Sequence, residues 1–348
     1  MNISVLQISL FVFTWILTVE GSDAFFPPSS TKTRRSQHVI LRGGAADSNP
    51  INNGELVSTL ARMDQQWKIQ QAQPRGPKSR WSKILLDKDD DEENDESMDD
   101  NDDDDAPQQQ SQDFVYLLEP PTLPSCIIVF LGGAGLGQFP HIAYSEFLTR
   151  VSDRLNAAVV AAPYTVGLDH FTIAKKAGEK LRKGILKCND EKQYSSTLPT
   201  YCLGHSLGCK LSTIYMAATS QDYDGIGYIA YNNFGFSQTI GMARDFADQL
   251  RKASNNGSGG STSSTGSAEG MLNSLFGLAE TAVGALGLEF TPSPEDMRRL
   301  TELKYTNEWK KKTRLFMFDE DTLDTTPDFV ASCGNTVDVS GLPGNHLT

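Results

Sequence analysis

From Phe114 onward, short apolar runs alternate with stretches whose apolar residues recur at helical spacing, and few folds have this rhythm. Residues 126–131 (CIIVFL) and 157–162 (AAVVAA) contain no charged or strongly polar side chain, so neither can turn a face to water. Strands buried on both faces belong to parallel sheets covered by helices on either side. Tyr144, Phe147, Leu148, Val151 and Leu155 recur at helix spacing between these two runs. Residues 114–118 read as an early strand, 169–186 as a helix, 201–203 as a short strand, 211–218 as the helix after it and 228–231 as a further strand. Residues 314–318 (RLFMF) and 336–339 (TVDV) complete the sheet. The expected class is α/β over 113–348, a mainly parallel central sheet flanked by helices.

The chain ahead of this region has a different texture. Residues 3–19 form an apolar run too short and too terminal for a membrane span, which reads as a signal peptide ending at Ala24. Phe25 then opens a stretch to residue 45 with several hydroxyl and basic residues and no acid, the composition of a transit segment. No stable transmembrane segment is expected once the signal is removed. Residues 46–112 are expected to be mostly disordered, apart from a helical piece over 56–83 that carries Trp67 and Trp81. Within them, 89–105 holds thirteen acidic residues and no basic one, which equals the formal net charge of -13 for the whole protein. Such a tract repels itself and has nothing to bury. The remainder is neutral, with no basic stripe to meet a phosphate backbone, so nucleic-acid binding is not expected.

Five cysteines (Cys126, Cys188, Cys202, Cys209 and Cys333) form no C-x-x-C pair and, being odd in number, no closed disulfide framework. Neither a metal site nor a cofactor is expected. The strand–helix alternation breaks over 235–308, which reads as an inserted helical cap containing a Ser/Gly-rich linker at 253–268. Ser293-Pro294-Glu295-Asp296 has the grammar of a helix start.

The chemistry is concentrated at Gly204-His205-Ser206-Leu207-Gly208, a G-x-S-x-G motif with a strand ending at Leu203 and a helix beginning near Leu207. A sharp strand-to-helix turn holds such a serine above the sheet, and the flanking glycines leave the room the turn needs. In this setting the motif specifies an α/β-hydrolase fold with Ser206 as candidate nucleophile. Leu207 would give one oxyanion N–H. The second is expected from the loop Gly132-Gly133-Ala134-Gly135, from Gly133 or Ala134. The same loop superficially matches a dinucleotide fingerprint, but its third glycine would fall at Gln138. The triad acid is expected after residues 314–318. Asp321, with Leu323 two residues later, is the first choice, and Asp324 and Asp319 are the alternatives. His346 is the one histidine placed after the last strand, where the base belongs. His205 reads as a packed turn residue.

Taken together, F-L-G-G-A at 130–134, A-P-Y-x-x-x-x-D-H at 162–170, G-H-S-L-G-C-K-L at 204–211, Y-N-N-F at 231–234 and the terminal G-N-H-L-T resemble the plastid and cyanobacterial domain-of-unknown-function 1350 family. The resemblance covers about 114–348 and implies an α/β-hydrolase fold in a plastid, without a substrate. The Ala24-Phe25 junction is similar to the presequence cleavage site of algae with secondary plastids, so a plastid location is expected, with secretion as the alternative. The chain stops two residues after His346, where this fold normally continues into a helix, so a loosened histidine loop is expected. The function expected is a serine hydrolase (esterase, lipase or thioesterase) acting through Ser206, His346 and Asp321 on a small-molecule or lipid-like ester, with an apolar acyl or pigment group. The alternative is a non-catalytic binding or scaffold protein of the same fold.

Overall fold

Strands with nothing polar to expose set the centre of the molecule. A computed structural model describes residues 53–73, 79–87, 112–238 and 289–346. Eight strands form one sheet: β1 (Trp81–Leu85), β2 (Phe114–Leu118), β3 (Cys126–Leu131), β4 (Ala157–Ala161), β5 (Thr200–His205), β6 (Gly225–Ile229), β7 (Thr313–Phe318) and β8 (Asp338–Leu342). Their order is β1-β2-β4-β3-β5-β6-β7-β8. β2 runs antiparallel to both β1 and β4, and every later pairing from β4 to β8 is parallel.

Among the described residues, these helices connect or cover the strands: α1 (Asn53–Ala72), α2 (Pro140–Ala143), α3 (Ser145–Leu155), α4 (His170–Glu191), α5 (Leu207–Thr219), α6 (Pro294–Lys304), α7 (Asn307–Lys312) and α8 (Thr326–Ser332). Side chains alternate across each strand. Ile127, Val129 and Leu131 of β3 therefore join one core with α4, α5 and α6, while Cys126, Ile128 and Phe130 join a second beneath α3. Each fully buried aliphatic side chain in these layers contributes about 1.5–3 kcal/mol relative to exposure.

Two expectations change here. The 56–83 segment is not one helix: α1 ends at Ala72, Pro74 and Pro77 follow, and Trp81–Leu85 pairs with β2 as an edge strand. Prolines remove the N–H a helix needs. The fold thus begins well before residue 113. α1 lies over the sheet, with Trp67 edge-on to Tyr116 at 5.7 Å and buried Asp64 accepting the Tyr116 hydroxyl. Second, α6 and α7 belong to the body and not to a cap. Met297 and Trp309 are buried in the main core, and α6 packs on α5 and α8. The predicted helix start is realised, with Ser293 Oγ accepting the Asp296 N–H at 3.1 Å. The Ser/Gly linker at 253–268, the rest of the expected cap over 239–288, the acidic tract 89–105 and the presequence 1–45 lie outside the described residues. No helix among the described residues is long and apolar enough to cross a membrane.

Candidate active site

The sheet order delivers the chemistry to one edge. β3 and β5 are neighbours with Leu131 opposite Gly204, so the glycine-rich loop and the serine turn emerge side by side at the carboxyl ends of the strands. β7 and β8 end at the same edge and release 319–324 and 343–346 beside them.

Ser206 joins β5 to α5 with φ 53° and ψ -122°, a conformation that a residue with a side chain adopts only under strain. The flanking glycines permit it by close approach. A Cβ on Gly208 would lie 2.0 Å from the Leu131 carbonyl oxygen, and one on Gly204 would lie 2.9 Å from Cys209 backbone atoms. The serine N–H is anchored on the Ile229 carbonyl at 2.9 Å.

Ser206 Oγ lies 2.9 Å from His346 Nε2, and His346 Nδ1 lies 2.7 Å from Asp321 Oδ2. The Asp321 side chain is fully buried, and its other oxygen accepts the Leu323 N–H at 2.8 Å. A carboxylate only accepts, so Nδ1 carries the imidazole proton and Nε2 is free to accept from the serine hydroxyl. Asp324 does not join this line. It accepts the Thr326 N–H at 2.6 Å ahead of α8, and burial raises its pKa. Asp319 accepts the Gly344 N–H at 2.9 Å, while the Glu320 N–H donates to the Gly344 carbonyl at 2.9 Å. The histidine loop, expected to be loose, is thus fastened to the turn after β7.

Leu207 opens α5, where a first-turn N–H has no partner within the helix. Gly133 lies directly over the serine: a Cβ there would sit 3.2 Å from Ser206 Cβ. Its N–H, however, donates to the Tyr144 hydroxyl at 2.7 Å. That engagement leaves exposed Ala134 as the loop's candidate oxyanion donor alongside Leu207. The loop is braced by the Tyr164 hydroxyl on the Gly132 carbonyl at 2.6 Å and by the Gly137 N–H on the Gly133 carbonyl at 2.7 Å. A three-residue 3-10 turn (Leu136–Gln138) and short α2 follow, with no long helix to receive a pyrophosphate, so the dinucleotide alternative has no structural counterpart.

His205 is packed in the turn as expected, 7% exposed, and both of its ring nitrogens are engaged as well. Sequence reasoning missed these bonds together with Tyr144, which no motif marks. All five cysteines are buried and unbridged. Burial pushes the Cys126 thiol up to about 11 and those of Cys188, Cys202 and Cys333 up to about 12, so none is a ready thiolate. Among the described residues, no group of three or more His, Cys, Asp or Glu side chains could hold a metal ion.

Several solved structures are similar to this chain. The Francisella virulence factor BioJ is 10% identical over 85% of this chain and 84% of its own, with a TM-score of 0.46. A carboxyl esterase from the mycorrhizal fungus Tuber melanosporum is 14% identical over 86% and 88%, with a TM-score of 0.42. A thioesterase domain from the curacin biosynthetic pathway is 11% identical over 68% and 90%, with a TM-score of 0.36. No curated protein sequence matches the chain. The strand order with β2 reversed and the serine turn between β5 and α5 make this an α/β-hydrolase-like fold. A family model described as "Protein of unknown function (DUF1350)" matches residues 112–348, and the chain belongs to that family.

Proposed function

We propose that the protein is a serine hydrolase that cleaves an ester bond. The observation that carries this reading is the unbroken line from Ser206 Oγ through both nitrogens of His346 to Asp321, starting at a strained turn. In the proposed reaction Ser206 Oγ attacks the ester carbonyl while His346 Nε2 takes the hydroxyl proton. Asp321 holds the imidazole tautomer and stabilises the cation that forms. The N–H groups of Leu207 and Ala134 receive the developing oxyanion. His346 then returns its proton to the leaving alcohol, and a water molecule, activated the same way, releases the acid. The apolar composition of 271–288 in the sequence supports esters with an apolar acyl or pigment group as substrates. A non-catalytic scaffold would have no need of strained backbone at Ser206.

A fluorophosphonate probe should label the full chain and leave Ser206→Ala unlabelled. kcat/KM on a homologous ester series should rise with acyl length. Failure of the probe to label the wild-type chain would refute the hydrolase reading.

A further inference from the structure

β5 ends at His205, one residue before the serine, and this side chain is 7% exposed. Its Nε2 lies 3.0 Å from the backbone oxygen of His346, and its Nδ1 lies 2.9 Å from the Tyr144 hydroxyl. A carbonyl oxygen can only accept, so Nε2 bears the proton and Nδ1 is the acceptor. Tyr144 therefore donates its hydroxyl proton to Nδ1, while its oxygen accepts the Gly133 N–H. Each bond direction in the chain follows from the last. The chain runs from the loop over the serine, through Tyr144 and His205, to the main chain of His346. Burial, followed by the neighbouring His346 ring, holds the pKa of His205 down to about 4, so the ring stays neutral and keeps these directions through the neutral range.

His346 lies past the end of β8, so its imidazole depends on bonds other than the sheet ladder. Asp319 and Glu320 hold Gly344, two residues away, whereas His205 reaches the backbone of His346 itself. A displacement of that carbonyl carries the imidazole with it, and about 1 Å of misplacement at a reacting group can cost ~10²-fold in rate.

We propose that His205 is a positioning residue for His346: its Nε2–H holds the tail carbonyl so that the imidazole faces Ser206 Oγ, and Tyr144 fixes the tautomer that makes this possible. The effect on rate rests on the hydrolase reading, whereas the placement can be observed without turnover.

The test compares His205→Leu, His205→Gln and His205→Asn in the full chain. Three readouts are taken: the fluorophosphonate labelling rate, kcat and KM on an ester, and the downfield proton resonance of the His346–Asp321 hydrogen bond. His205→Leu should lower the labelling rate and kcat by about 10- to 100-fold with little change in KM. The glutamine amide N–H reaches the place of Nε2, so His205→Gln should recover most of the rate. The asparagine amide reaches only the place of Nδ1, so His205→Asn should not. Wild-type rates in His205→Leu, or equal rates in the Gln and Asn variants, would overturn the proposal. Should the leucine variant not fold, the Gln-against-Asn comparison decides alone. If even the wild-type chain neither labels nor turns over, the hydrolase reading has failed and the resonance decides the positioning. Presence in wild type with loss in His205→Asn supports it, while absence from wild type, or persistence in His205→Asn, overturns it.

Discussion

Gly208→Ala tests whether the serine turn is wedged against β3. On helix propensity alone the change should help, because alanine is favoured over glycine by about 0.8–1 kcal/mol inside a helix. The structure reverses the sign. The new Cβ would lie 2.0 Å from the Leu131 oxygen and 2.6 Å from the Gly132 oxygen, both main-chain atoms that no rotamer change can move. Ordinary contact begins at 3.4 Å, so the start of α5 must withdraw by about 1.4 Å. Overpacking of a well-filled interior costs about 1–3 kcal/mol, and a main-chain clash belongs at the upper end or beyond. The net loss is about 2 kcal/mol or more, roughly 4–8 °C in Tm for a domain of this size. The same withdrawal pulls Ser206 and the Leu207 N–H out of register with the loop, so labelling should fall by about 10²-fold or more. Gly341→Ala is the control, since a Cβ there meets nothing within 4 Å. Urea denaturation of the three proteins and fluorophosphonate labelling are the assays. A Gly208→Ala protein as stable and as reactive as the Gly341→Ala protein would refute the wedge.

Asp321→Asn should reduce ester turnover by about 10³- to 10⁴-fold, because the amide favours the wrong imidazole tautomer, while Asp324→Asn should have a far smaller effect. Comparable losses in kcat for the two variants would count against Asp321 as the orienting acid. His141, His170 and His205 are buried, and that burial lowers each pKa from 6.5 to about 4. Between those values the unfolded chain binds up to three more protons, so stability should be full above pH 6.5 and fall on acidification, by at most about 4 kcal/mol per pH unit. Urea midpoints measured across that window check the slope, and a flat profile would contradict it.

The parts of the molecule that chemistry dictates locally could be read from the sequence. CIIVFL and AAVVAA have no other place than a sheet interior, and the serine turn announces itself through glycines that the sterics demand. Asp321 was reachable through the order of the chain and Leu323 two residues on, whose N–H it does accept. What escaped depends on partners distant in sequence. Nothing in W-S-K-I-L, with its lysine and serine, says that β2 waits across a long connection to pair with it. β6 begins at Gly225, earlier than its apolar residues suggested, because the glycines dilute the run. It ends where Ala230 turns to φ 49°. α6 follows a long insertion that, on sequence alone, places it in the cap, although Met297 reaches the main core. The engagement of His205 requires Tyr144, sixty-one positions earlier, and the same tyrosine claims the Gly133 N–H that spacing had offered to an oxyanion.

Because β1 and β2 lie side by side and antiparallel, residues 86–113 are the connection of a hairpin, and the densest charge in the protein is threaded into it rather than strung ahead of the fold. Closing such a connection grows costlier only with the logarithm of its length, by about 0.6 kcal/mol per doubling. The sheet therefore tolerates changes in the length of this connection at little cost. The residues at its two ends, Leu86 and Asp113, are joined by a backbone hydrogen bond of 2.8 Å, on the flank farthest in strand order from the β8 edge.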